Sequence, residues 1–167
     1  REKHPAQCRL QLDVMLAIAG RTIASLDRTL DFCAEMEVQH ISCYILKIEE
    51  GTRVAKERDV LPLFDEEQQA VFYEHTVERL KALGYTQYEI SNFAKQGYES
   101  RHNLIYWHDE EYLGIGPSAH SFLEGKRFYY DSSFDSFYRN ETQVEGDGGD
   151  REEYIMLALR LTEGLRF

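Results

Sequence analysis

Among the 167 residues, the side chains best suited to chemistry crowd between Tyr85 and Phe122. His102, Asn103, Tyr106 and Trp107 form an H-N-x-x-Y-W run. An imidazole there could ligate a metal or a haem iron, and its aromatic neighbours could cover a flat conjugated ligand. The alternative is a satisfied structural histidine beside an aromatic cluster. Gly114 and Gly116 open the turn GIGPSAHS. It lacks the Lys-Ser/Thr of a phosphate-binding P-loop and the spacing of a dinucleotide fingerprint. Its glycines suit a backbone that passes close to a ligand. Asp13 is the lone acid in an otherwise apolar stretch, RLQLDVMLA. It could accept hydrogen bonds from ribose hydroxyls, or it could be solvated or cap a neighbouring loop.

Cys8, Cys33 and Cys43 have none of the close spacing of a metal site. An odd count without a secretion signal reads as reduced thiols in a cytoplasmic protein. The net charge of -11 argues against broad nucleic-acid affinity, which draws on clustered Lys and Arg. No apolar run reaches the roughly 18 residues of a membrane span. The first residue is Arg1 rather than Met, which suggests a piece of a longer chain.

The elements that would position these residues alternate between strand and helix. Residues 9–17 follow the period of a strand, with Leu10, Leu12, Val14 and Leu16 on one face and Asp13 and Met15 on the other. Thr22 caps a predicted helix over 23–36. A second strand is predicted over 40–48, and Asp65 to Gln68 forms a capping box for a helix reaching Leu83, where Gly84 stops it. A third strand is predicted over 85–93. Crossovers this long predict parallel pairing, hence an α/β architecture, either a barrel or an open sheet, with ligands at the carboxyl ends of the strands. Residues 126–130 read as an edge strand or hairpin arm and 134–138 as a short helix. Residues 145–150 (EGDGGD) read as a linker. A new amphipathic helix is predicted over 151–161, opening a second domain, so the expected division is 1–145 and 146–167.

The segments HISCYILKIEEGT, LPLFDEE, GYTQYEISNFA, ESRHNLIYW and YLGIGPSAHSF together resemble the oxygen-independent coproporphyrinogen III oxidase-like family of radical S-adenosylmethionine proteins. The H-N-x-x-Y-W signature favours its haem-chaperone (HemW-type) branch. The resemblance covers about residues 12–167 and implies the C-terminal half of a partial (β/α)6 TIM-like barrel with parallel strands, plus the first helix of a helical C-terminal domain. It implies S-adenosylmethionine and a [4Fe–4S] cluster in the full-length parent. The cluster would be held by a C-x-x-x-C-x-x-C loop that none of Cys8, Cys33 and Cys43 supplies, so this chain is expected to be inactive alone. By the same resemblance Asp13 contacts the adenosyl ribose, Met15 fills the apolar position two residues on, and Lys47 passes the adenine. His102, with Asn103, Tyr106 and Trp107, handles haem, and His102 is the expected iron ligand. The chain departs from the family at 17–22, AIAGRT in place of a G-L-P-G-Q-T-like turn, and at Lys47, where a small or polar residue is common. The expected function is haem binding and delivery to haem-receiving proteins. The alternatives are a coproporphyrinogen oxidase and an inert structural fragment. An unpaired edge on the first strand also predicts a homo-oligomer.

Overall fold

The computed structural model describes residues 9–165. Cys8 lies outside them. Two compact units divide between Glu99 and Ser100, so the expected boundary at 145/146 falls inside the second.

The first unit begins with Gln11–Leu16 (β1), whose alternation buries Val14 and Leu16 and leaves Asp13 and Met15 on the opposite face. Thr22 then caps Ile23–Glu35 (α1) through a full capping box with Ser25, and Leu26, Leu30 and Cys33 give the helix its buried stripe. His40–Ile45 (β2) pairs parallel to β1, with Asp13 opposite Ser42. After it comes Arg53–Lys56 (α2), a single helical turn. Asp65 caps Glu66–Ala82 (α3), whose buried residues Phe72, Thr76 and Leu80 are spaced four apart. Gly84, at φ +85°, follows the helix in the left-handed conformation that glycine adopts most cheaply.

The two longer helices lie against one another, joined by His75 to Asp27 at 2.7 Å and by Arg79 to Asp31. Their stripes meet Val14, Leu16, Ile41, Cys43 and Phe93 in one apolar core. At roughly 25 cal/mol per Å² of apolar surface removed from water, this burial is the main stabilising term of the unit.

The third predicted strand is corrected. Residues 85–93 do not form one parallel strand: Thr86–Gln87 (β3) and Asn92–Ala94 (β4) make a short antiparallel hairpin, and β4 pairs antiparallel to β2. The sheet is therefore mixed, in the order β1-β2-β4-β3. β3 keeps the direction expected of it, but the tight turn at 88–91 places β4 between it and β2. Glu89 closes that turn by accepting hydrogen bonds from its own neighbours, Ser91 N at 2.8 Å and Asn92 Nδ2 at 2.5 Å.

The second unit starts with Arg101–Trp107 (α4), N-capped by Ser100. His120–Leu123 (β5), Lys126–Tyr130 (β6) and Thr142–Asp147 (β7) form an antiparallel sheet in that order, so β6 is the arm of a tight hairpin with β5 and lies at the sheet's centre rather than its edge. Phe134–Tyr138 (α5) matches its predicted span. The stretch expected as a linker instead contributes residues 145–147 to β7, and Arg151–Ala158 (α6) follows under an Asp150 cap. Among the described residues no helix is long and apolar enough to cross a membrane.

Candidate functional site

Two polar constellations stand out, one in each unit. In the first, alternation and register put Asp13, His40, Ser42 and Asn92 on the sheet face turned away from the helices. Asp13 is exposed, whereas His40, Ser42 and Asn92 are buried. Gln11 Nε2 reaches both Asp13 Oδ1 and Ser42 Oγ at 3.4 Å. The 88–91 turn folds over this wall. Tyr88 meets His40 Nε2 at 2.7 Å, and the wholly buried Glu89 holds Asn92. Burial pushes the His40 imidazole below its usual range, against the pull of Asp13, Glu89 and Glu99, which keeps the ring neutral.

Two atoms of this wall, His40 Nδ1 and Asn92 Oδ1, are buried without a hydrogen-bond partner among the described residues. Leaving such groups unpaired is costly, and an ordered water or a polar ligand would satisfy them. Sequence reasoning missed Ser42 and Glu89, and did not join His40 and Asn92 to Asp13. The alternation of HISCY carried the signal for His40 and Ser42, but Glu89 and Asn92 become wall residues only through the hairpin.

The other residues expected to bind a nucleotide fare differently. Met15 is half-exposed beside Asp13, and its carbonyl accepts from Arg21 at 3.1 Å. Lys47 lies beyond the end of β2, and its exposed ammonium pairs with Glu49 at 2.8 Å. The thiols do not fit a cluster. Cys33 and Cys43 are buried in the apolar core, and burial pushes the Cys43 thiol up to about 12, far from the thiolate that iron requires.

In the second unit, α4 makes sense of the H-N-x-x-Y-W spacing. Residues four apart on a helix are neighbours, and side chains lean toward the helix N-terminus. Tyr106 accordingly reaches back to His102, with its hydroxyl 2.9 Å from Nε2 and the two rings edge to face at 4.8 Å. The ring of Tyr106 abuts Tyr112 at 4.6 Å and 90°. Burial, then Tyr112, push the Tyr106 phenol up, so it stays protonated.

The Tyr112 hydroxyl accepts from Arg127 at 3.2 Å, and Arg127 in turn is held by Glu153 at 2.8 Å and Asp109 at 3.4 Å. Trp107 lies under the Arg160 guanidinium at 4.1 Å, and its indole Nε1 is buried beside a cavity of about 240 Å³. Asn103 is half-buried and donates its backbone N–H to the Ser100 cap.

The glycine turn has a packing reason. A Cβ on Gly114 would meet the His120 carbonyl oxygen at 2.2 Å, and Gly116 sits at φ +127°. Both glycines are thus required by the turn itself. Among the described residues no three His, Cys, Asp or Glu side chains gather as a metal site, so an iron held here would have at most two such ligands. The exposed His102 suits the part of one.

No family model matches the chain. Curated proteins do. It is 34% identical over 168 residues to the heme chaperone HemW of Bacillus subtilis, covering 93% of this chain and 44% of that protein. The Synechocystis heme chaperone HemW is likewise 34% identical, with 92% and 40% covered. The chain is homologous to the HemW-type haem chaperones. A zebrafish mitochondrial protein named for its radical S-adenosyl methionine domain is 30% identical over 181 residues, with 94% of this chain and 40% of that protein covered. The chain thus spans about two fifths of the length of these relatives. Among solved structures, the Escherichia coli coproporphyrinogen III oxidase HemN, described as a radical SAM enzyme, superposes with a TM-score of 0.65 over 89% of this chain and 38% of its own. At 17% identity that likeness concerns the fold.

Proposed function

We propose that this chain is a segment of a haem chaperone and that its second unit takes part in holding haem for delivery to haem-requiring proteins. The observation that carries the reading is the imidazole of His102, exposed on α4 and hydrogen-bonded by Tyr106 inside an aromatic cluster. A histidine imidazole can serve as an axial haem-iron ligand, and a neighbour that fixes the ring orients it for that part. Tyr106 and Trp107 add flat apolar surface on the same helix.

In the whole protein the first unit would be part of a partial (β/α)6 barrel, with its polar wall facing inward. That reading is supported by parallel β1 and β2, by both long helices packing on one face, and by the buried polar atoms on the other. Asp13 would accept the ribose hydroxyls of S-adenosylmethionine, with Ser42 and Asn92 alongside. When bound, that cofactor would supply radical chemistry through a [4Fe–4S] cluster, which the thiols described in this chain do not fit. The barrel-derived part would extend to residue 145, and the location would be cytoplasmic.

Haemin titration followed at the Soret band tests the proposal. The chain is expected to give a saturable Soret shift, and His102→Ala to weaken it by at least about tenfold, the lower end of what losing even an outer-shell partner of a metal ligand costs. An unchanged titration in His102→Ala would refute the assignment.

A further inference from the structure

A histidine ligand has two nitrogens, and the partner of one decides which is offered to a metal. At His102 one of the two is already engaged. The Nε2 atom stands 2.9 Å from the Tyr106 hydroxyl, one helical turn away, while Nδ1 has no partner among the described residues. Nor is Tyr106 loosely placed. The edge of its ring rests on Tyr112, whose own hydroxyl is held by Arg127, and Arg127 is clamped between Asp109 and Glu153. A phenol fixed in this way costs little further ordering when the imidazole acquires a ligand.

We infer that Tyr106 is a positioning residue that selects the iron-binding nitrogen of His102: its hydroxyl oxygen accepts the Nε2–H, and the Nδ1 lone pair is presented to haem iron. The assignment rests on the haem reading above and extends it from residue to atom. It also gives the tyrosine of H-N-x-x-Y-W a role apart from covering the ligand. A neutral imidazole carries one proton, so ligation through Nδ1 requires that proton on Nε2, facing the Tyr106 hydroxyl, which can accept as well as donate. Hydrogen bonds of this kind fix ring orientation and raise ligand basicity, and their loss typically costs ten- to a hundredfold in affinity.

Two measurements on the full chain decide the matter. Nitrogen-15 ring correlations of His102 without haemin should report the Nε2–H tautomer. A dominant Nδ1–H tautomer would overturn the inference, and no variant is needed to see it. Haemin titrations should then show Tyr106→Phe binding about ten- to a hundredfold more weakly than the native chain, with unchanged far-ultraviolet circular dichroism. Tyr106→Phe titrating like the native chain while His102→Ala fails would sink the inference and leave the haem reading standing. His102→Ala titrating like the native chain would remove both.

Discussion

Removing Arg127 should do more damage than removing any other charge in the second unit. Its guanidinium meets Glu153 at 2.8 Å and Asp109 at 3.4 Å, and these side chains keep only 25% and 8% of their exposure. Arg127→Ala would leave two largely buried carboxylates near one another without this counter-ion. Breaking a buried pair from one side costs about 3–5 kcal/mol. Here Arg127 keeps 22% exposure, which argues for the low end. The stacking of Arg127 on Phe122, at 4.4 Å, adds about 0.5–1 kcal/mol. The sum is about 4 kcal/mol, which at a urea slope of about 2 kcal/mol/M lowers the midpoint by about 2 M. Trp107, the chain's one tryptophan, lies in this unit and supplies the fluorescence signal. Asp109→Asn in the Arg127→Ala background should recover part of the loss, because it removes one of the stranded charges. A single-variant midpoint within about 0.3 M of the native one would show that the charges escape to water and that the clamp behind Tyr112 is not stabilising.

The same cluster predicts a pH dependence. Burial, then Glu153, push the Asp109 carboxyl above its ordinary range, while Arg127 pulls it back. The folded unit therefore holds that proton more tightly than the unfolded chain. The contribution is greatest below the ordinary carboxylate value, falls as pH rises toward the raised value, and is flat above it. The difference in urea midpoint between the native chain and Asp109→Asn, followed from about pH 3 to 7, should show this decline. In the first unit, Cys33 and Cys43 should stay unmodified by a thiol reagent at neutral pH until the chain unfolds, as read by mass spectrometry, because burial raises both thiols. Leu30→Ala, at a wholly buried site between helix and sheet, should cost about 2–5 kcal/mol in urea unfolding monitored by circular dichroism. β1 lies at one edge of its sheet, so a second copy pairing along it should appear in light scattering at high concentration, and a strictly monomeric species would count against that pairing.

How far the sequence discloses this molecule depends on whether a residue acts on its neighbours in the chain or across space. Thr22, Asp65 and Gly84 act within a few residues, and the helix ends they predict appear within a residue or so. The same locality explains the misjudged third strand. Its residues have strand-like composition, but Glu89 spends its hydrogen bonds on Ser91 and Asn92 and folds the run into a hairpin. The period of the strand is lost to side chains that bond their own backbone. EGDGGD misled in the opposite sense. Glycine and acidic residues suggest a linker, yet pairing with β6 across an irregular step at Arg127/Phe128 holds residues 145–147 as strand.

The candidate sites divide along the same line. His102 and Tyr106 are four apart in the sequence, so their contact follows once α4 is known to be a helix, and the Ser100 cap signals that helix. The polar wall has no such shortcut. Asp13, Ser42 and Asn92 come from three strands, and only the register that sets Asp13 opposite Ser42 and Ser42 opposite Asn92 makes them one surface. A one-residue slip would turn Ser42 and His40 into the apolar core and Ile41 and Cys43 out of it, which burying a polar pair beside Leu16 and Leu30 forbids. The wall is thus specified by the core on the other side of the same strands.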